Sequence, residues 1–183
     1  WQLVAGVFGD APGVYVRESR MVRNVAIPSW FFAIRLLAKH VITFLHNLVI
    51  VAGVVWYFEL DLGLMALQAL PALLLVVANL FWMVCCLGIL GARFRDIELA
   101  VQSMLPLLFL VSPVLFRADR LPGGMDLIWY NPFSYFIEAV RAPMLGHAAH
   151  AGTHVVLVGM LLVGGLLTWT LMRTKGARLA FWV

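Results

Sequence analysis

Residues 62–90 contain no Asp, Glu, Lys or Arg, and this run decides the solvent before it decides the fold. At ~1.5 Å per residue a helix of that length outreaches the ~30 Å hydrocarbon core of a bilayer. Pro71 and Gly88 inside it are tolerated in membrane helices where neighbours satisfy the freed backbone. Segment 30–58 is polar at its start and apolar from Val41 to Phe58, and 97–116 and 153–172 also have spanning length. Trp1 to Val16 is a fifth, less apolar candidate. Its Asp10, Pro12 and three glycines predict a helix buried against others or one that ends early. Hydrophobic residues make up 63% of the 183 and charged residues 12%, with a mean hydropathy of +0.97. A soluble fold of this size cannot cover so much apolar surface, so lipid must cover it. The expectation is an all-α integral membrane protein, a multi-pass bundle formed by one domain over residues 1–183.

The net charge of +4 is dispersed between apolar runs and forms no dense basic face of the kind that binds nucleic acid. Its placement orients the bundle. Arg17, Arg20 and Arg23, then Arg93 and Arg95, then Arg173, Lys175 and Arg178 fall in alternate loops. The opposite loops hold Glu59 and Asp61, and a long segment with Arg117, Arg120 and Arg141. Short basic loops stay on the cytoplasmic side. Aromatic groups at Trp30 to Phe32 and at Trp56 to Phe58 suit the two interfaces. Cys85 and Cys86 are adjacent within an apolar run, where they read as small core residues and not as a disulfide or a metal site.

The loop 117–152 is itself apolar and aromatic in its middle. Asn131 is a good N-cap and Pro132 suits the first helical position, so a helix is predicted from there to about Ala142, ahead of Pro143. Its ~16 Å length is about half a bilayer, enough to dip in from outside but not to cross. A helix lying on the outer surface is the alternative. Glu138 and Arg141, three apart, are placed to pair on one face. His147, His150 and His154 have spacings that could share a helical face, but Gly146 and Gly152 interrupt it, which favours solvated loop histidines and no metal site. The sequence carries no phosphate-binding G-x-x-x-x-G-K-[ST] loop, no G-x-S-x-G and no H-E-x-x-H. No catalytic, cofactor or metal residues are therefore expected. The stretch from Arg17 to Ile27 reads either as a plain basic anchor or as a short surface helix offering Met21, Val22 and Val25 to a cytoplasmic partner.

Several motifs, in order, resemble one family. Trp1 is similar to the Trp that opens a second transmembrane helix, and Arg23, Ile27 and Pro28 to the residues around a coupling helix. Phe44, His46 and Asn47 resemble a pattern early in the third helix, and Gly91-Ala92-Arg93-Phe94-Arg95-Asp96-Ile97 the cytoplasmic turn before the fifth. Ser112-Pro113-Val114 resembles a proline motif in that fifth helix. Asn131-Pro132, Glu138, Arg141, Pro143, Leu145 and Gly146 resemble a periplasmic gate, and Arg178 to Trp182 a short C-terminal tail. Together they resemble the permease subunit of an ABC-2 type polysaccharide exporter, of the O-antigen, teichoic acid and capsule export kind.

The resemblance implies six transmembrane helices per subunit, about five of them in this chain, with a re-entrant external hairpin and an N-terminally truncated domain lacking the first helix. It implies a homodimer with a separate ATP-binding subunit dimer, which would hold the ATP and magnesium, leaving this chain without cofactors and not itself an enzyme. It implies export of a lipid-linked glycan across the cytoplasmic (inner) membrane of a bacterium. On that reading Arg17, Arg20, Met21, Arg23, Ile27 and Pro28 couple to the ATPase. Arg93, Arg95 and Asp96 form the cytoplasmic turn, and Asn131, Pro132, Glu138 and Arg141 the gate. Arg35, Lys39 and His46 fall within about 40° of one another around their helix, over ~16 Å of its axis. They read as interfacial anchors, or as a cationic stripe that attracts the phosphate-bearing head of the carrier. Two alternatives stay open: an ABC-2 exporter of a drug or lipid, and an intramembrane lipid-modifying enzyme.

The charge alternation makes a direct prediction. Single cysteines at positions 20, 93 and 178 should resist a membrane-impermeant maleimide applied from outside intact cells, and one at position 61 should react. Labelling of position 20 or 93 from outside would reverse the topology.

Overall fold

The computed structural model describes residues 1–25, 27–59, 63–116 and 128–183. Asp61, Arg117, Arg120 and the first limb of the expected hairpin lie outside them. Among the described residues the chain is helical throughout, with no strand. The helices are α1 (Gln2–Asp10), α2 (Val14–Arg17), α3 (Ser19–Asn24), α4 (Ser29–Tyr57), α5 (Ala69–Arg93), α6 (Asp96–Val111), α7 (Pro132–Met144), α8 (Thr153–Lys175) and α9 (Leu179–Trp182). Short 3₁₀ turns at Leu64–Gln68 and Gly176–Arg178 lead into α5 and α9.

Three helices are long and apolar enough to cross a membrane: Ser29–Tyr57, Leu64–Arg93 with its 3₁₀ lead, and Thr153–Lys175. The other two candidates are shorter. The Trp1–Val16 segment breaks at Ala11 to Gly13, around Pro12, and packs Leu3, Val4 and Val7 into the bundle, as its Asp10, Pro12 and glycines predict. The segment 97–116 stops at Val111, because Pro113 holds Ser112 extended at φ −81°, ψ 147°. The helix expected to end near Ala142 continues to Met144, with Pro143 in its last turn.

The second long helix, α5, is the axis of the bundle, packed by α8, α7, α4, α1 and α2. Its face toward α8 carries the polar groups that join two apolar helices. Asn79, fully buried, donates to the carbonyls of Leu75 (2.9 Å) and Leu157 (3.1 Å) and accepts from Trp82 Nε1 at 3.1 Å. Thr168 donates to the Trp82 carbonyl at 3.1 Å and sits 3.1 Å from Cys86 Sγ. Both cysteines are free and buried. Such bonds average ~0.6 kcal/mol between membrane helices, so close packing must carry the rest. The packing comes from small residues. Trp82 lies directly over Gly164, and Gly91 receives the backbone of Pro12. By contrast, Ile42, Val49 and Ile50 on α4 and Val155, Leu162 and Val163 on α8 are exposed, the apolar surface that lipid covers.

The basic groups gather at one end of the bundle. There α2 packs on the last turns of α5, and α9 lies against α3 and α5. Arg93 stands 5.3 Å from the Trp182 ring, and Arg173 stands 4.0 Å over Trp169.

The Gly91 contact can be tested against its own control. A Cβ at Gly91 would land on the Pro12 backbone, which cannot yield as a side-chain tip would, whereas Gly165 faces open space. Gly91→Val should destabilise the detergent-solubilised protein by about 1–3 kcal/mol, and Gly165→Val should leave its melting temperature within error. Equal effects would refute the contact.

Candidate functional site

The last residue of α1, Asp10, meets side chains from two other elements. Lys39 Nζ and His40 Nε2, both on α4, lie 3.1 and 3.0 Å from Oδ2. Arg17 closes α2, lies 3.2 Å from Oδ1 and also donates to the Asp10 carbonyl. Arg17 further reaches Glu98 of α6 at 3.8 Å. One helical turn below, Arg35 pairs with Glu18 at 2.9 Å, and Glu18 is the joint between α2 and α3. The backbone makes room for this convergence at glycines. A Cβ at Gly6 would come 2.7 Å from His40 Nδ1, and one at Gly13 would come 2.7 Å from Arg17 and 2.8 Å from Glu98. At Gly9 the carbonyl accepts from Gln102 Nε2 of α6 at 3.0 Å.

These groups line a cavity of about 320 Å³ whose wall includes Arg17, Arg35 and Lys39 against Asp10 and Glu18, with Phe32 and Leu36 as its apolar side. Arg17, Arg35 and Lys39 face Asp10 and Glu18 there, with Glu98 beside Arg17 as a third carboxylate, so the cavity is close to balanced in charge. Its openness to water keeps each pair weak: the side chains of Arg17, Arg35 and Lys39 are about half exposed or more.

The structure thus joins Arg35 and Lys39 of the predicted stripe and leaves out His46, which is exposed. Both cations sit at the edge of the α4 face that packs inward, and their long stems bring the charge round to the carboxylates. The short imidazole of His46 cannot follow. His40, with its side chain only 14% exposed, takes that place. Asp10, Glu18, His40 and Glu98 were not expected in a site. The available signal was Asp10 itself, since an acidic residue in an apolar segment demands a counter-ion.

The expected coupling helix from Arg17 to Ile27 is shorter and jointed. The backbone breaks at Glu18 (φ −104°, ψ 22°) and turns extended at Val25 (φ −125°, ψ 133°), leaving the six residues of α3. Pro28 in turn disfavours helix at Ile27. Arg17 faces Asp10, and Arg23 donates to the Val183 carbonyl. Arg20 and Met21 are exposed, and Ile27 is half-buried ahead of Pro28, the N-cap of α4. In the turn between α5 and α6, Arg93 stacks on Phe94, Arg95 is the N-cap of α6, and Asp96 lies in its first turn, where the helix dipole favours a carboxylate.

At the other end, Asn131 caps α7 by accepting from the Phe133 amide at 3.0 Å, with Pro132 at the first position. The same side chain donates to Ser112 Oγ at 2.9 Å. Arg141 donates to the carbonyls of Pro113 (2.7 Å) and Phe116 (3.1 Å). The expected Glu138–Arg141 pair is absent, and among the described residues no ion pair includes Glu138. The guanidinium goes instead to carbonyls of the turn that follows α6. Phe133, Phe136, Ala139 and Ala142 are buried, and Phe133 meets Phe8 of α1 edge-on at 5.0 Å. The segment α7 is therefore packed into the bundle and does not lie on its surface. His147, His150 and His154 are exposed, His150 stacks on Trp129 at 4.2 Å, and the described residues hold no metal-binding cluster.

Residues 7–145 match the ABC-2 type transporter family. The chain belongs to that family. The matched stretch takes in the Asp10 cluster, α3, the turn from Gly91 to Ile97 and the whole of α7. No curated protein matches the chain. Membership makes this an ABC-2 membrane subunit, a transport component that works with an ATP-binding partner.

In the ABC-2 subunit, Asp10 answers three side chains and each of them answers mainly Asp10. Asp10→Ala should therefore lower the melting temperature in detergent more than Lys39→Ala, by several degrees for about 1–2 kcal/mol. A larger loss from Lys39→Ala would mean that Asp10 is not the common counter-ion.

Proposed function

We propose that this ABC-2 subunit is the permease of an ATP-driven exporter that moves lipid-linked polysaccharide across the cytoplasmic membrane of a bacterium. It works as a homodimer with a separate ATP-binding subunit dimer, which holds the ATP and magnesium. The observation that carries the reading is the cavity walled by Arg35 and Lys39, placed at the basic end of a family-matched bundle. A glycan carrier lipid brings a phosphate-bearing head to that end, and Arg and Lys bind phosphate, the former through its bidentate fork. Arg20, Met21 and Arg23 with Ile27 and Pro28 seat the ATPase, and the Arg93, Arg95 and Asp96 turn lies beside them. Asn131, Pro132, Glu138 and Arg141 form the external gate. The order of motifs from Trp1 to the tail supports a polysaccharide substrate over a drug.

The test uses the complex with its ATPase partner in nanodiscs, with undecaprenyl-linked glycan as the titrant. Arg35→Gln with Lys39→Gln should raise the half-saturating concentration for ATPase stimulation about tenfold or more, the loss of charge-assisted bonds to phosphate. An unchanged half-saturation would remove the cavity from the substrate path. Stimulation by an amphiphilic drug and not by the glycan lipid would reassign the substrate.

A further inference from the structure

The same ion pairs that line the cavity also hold the α2–α3 joint, and this gives the site a second role. Glu18 belongs to the joint, and its only ion-pair partner among the described residues is Arg35, a wall of the cavity. Arg17 ends α2 on the other side of Glu18 and is held by Asp10, which shares Lys39. Past the joint, α3 has no fully buried side chain; Val22 packs partly buried on the core, Arg23 bonds the Val183 carbonyl, and Val25 leaves the helix in extended backbone. On this side the joint is tied to α4 by the Glu18–Arg35 ion pair. The pairs are half exposed, so each is weak enough for a competing anion to replace. A phosphate offers more acceptor oxygens and more charge than a single carboxylate, and it suits the fork of Arg35 better than the one contact Glu18 makes.

We propose that an anionic phosphate headgroup entering this cavity displaces Glu18 from Arg35 and so frees the α2–α3 joint, making Glu18 a positioning residue that reports headgroup occupancy to the cytoplasmic segment. The inference rests on the cavity being the headgroup site. At rest Glu18 occupies Arg35 and holds the α2–α3 joint to α4. With phosphate on Arg35 and Lys39, Glu18 has lost its partner and the joint is released from Arg35. Glu18 therefore opposes headgroup binding and restrains the joint through one contact, so removing its charge changes both.

The experiment uses the permease with its ATP-binding partner in phosphatidylcholine nanodiscs, titrated in separate arms with undecaprenyl phosphate and with soluble glycerol phosphate. Wild-type ATPase activity should rise with undecaprenyl phosphate, and a matching rise with glycerol phosphate would place recognition in the phosphate alone. Both results support the exchange, and no response in either arm overturns it. Glu18→Gln should raise the basal rate about two- to fivefold, the bias a half-exposed ion pair can exert, and should lower the half-saturating phosphate concentration by a similar factor. A merely structural Glu18 would not tighten phosphate binding. The exchanged pair, Glu18→Arg with Arg35→Glu, should lower the basal rate below that of Glu18→Gln and abolish stimulation. If Arg35→Gln weakens the response while Glu18→Gln alters neither basal rate nor half-saturation, the headgroup site stands and the latch is refuted. If Arg35→Gln also has no effect, the site itself is refuted.

Discussion

The carboxylate of Asp10 is where the N-terminal third of this chain is held together. It lies where α1 ends, and it draws Arg17 from α2 and Lys39 and His40 from α4 to one point. Without it Arg17 and Lys39 would repel one another beside an apolar wall. With it, α1 and α2 become two arms of one turn pinned to α4, and Arg17 extends the tie to Glu98 on α6. A partly buried carboxylate in an apolar segment is costly alone, and Arg17 and Lys39 offset that cost. The geometry also needs Gly6 and Gly13, because a methyl group at either would occupy the space taken by His40 or Arg17.

The rest of the bundle follows a different rule. Lipid offers no hydrophobic reward for pressing two apolar helices together, so contact area and a few satisfied polar groups must hold them. Between α5 and α8 the area comes from Trp82 on Gly164, and the polar groups are Asn79, Thr168 and Cys86. On the other side of α5, Gly91 receives the Pro12 backbone, and Gly88 leaves room for Val14 and Tyr15. The same turn that presents Asp10 to α4 therefore seats its backbone on α5. The ion cluster and the bundle axis are one construction, joined through four consecutive residues from Asp10 to Gly13.

Much of this was legible from sequence because a bilayer permits few structures. The long uncharged runs gave the three crossing helices, and Asn131-Pro132 gave the start of α7, since cap and proline act locally. Pairing was harder to read, because it depends on what lies across the helix interface. Glu138 and Arg141 have helical pair spacing, yet Arg141 goes to Pro113 and Phe116, which are distant in sequence. His46 and His40 are equally polar on paper, and only the direction of the α4 inner face separates them. The family resemblance placed the motifs in order but could not say that Ser112-Pro113 and Asn131-Pro132 meet. They do, through the Asn131 to Ser112 bond of 2.9 Å.

That meeting gives α6 its place in the structure. At its start Glu98 faces Arg17, and Gln102 bonds the carbonyl of Gly9, so the first half is tied to the ion cluster. Just beyond its end Ser112 and Pro113 are bonded to Asn131 and Arg141, so the second half is tied to α7. Between the two sets of ties lies Pro106, which has no amide hydrogen to give to the Gln102 carbonyl. A helix bends most readily where its hydrogen-bond ladder is interrupted. The polar contacts at both ends are directional and the middle is the compliant part. A displacement of the α1–α2 turn must therefore either break the Gln102 bond or bend α6 at Pro106, and the second route leaves the contacts with α7 intact.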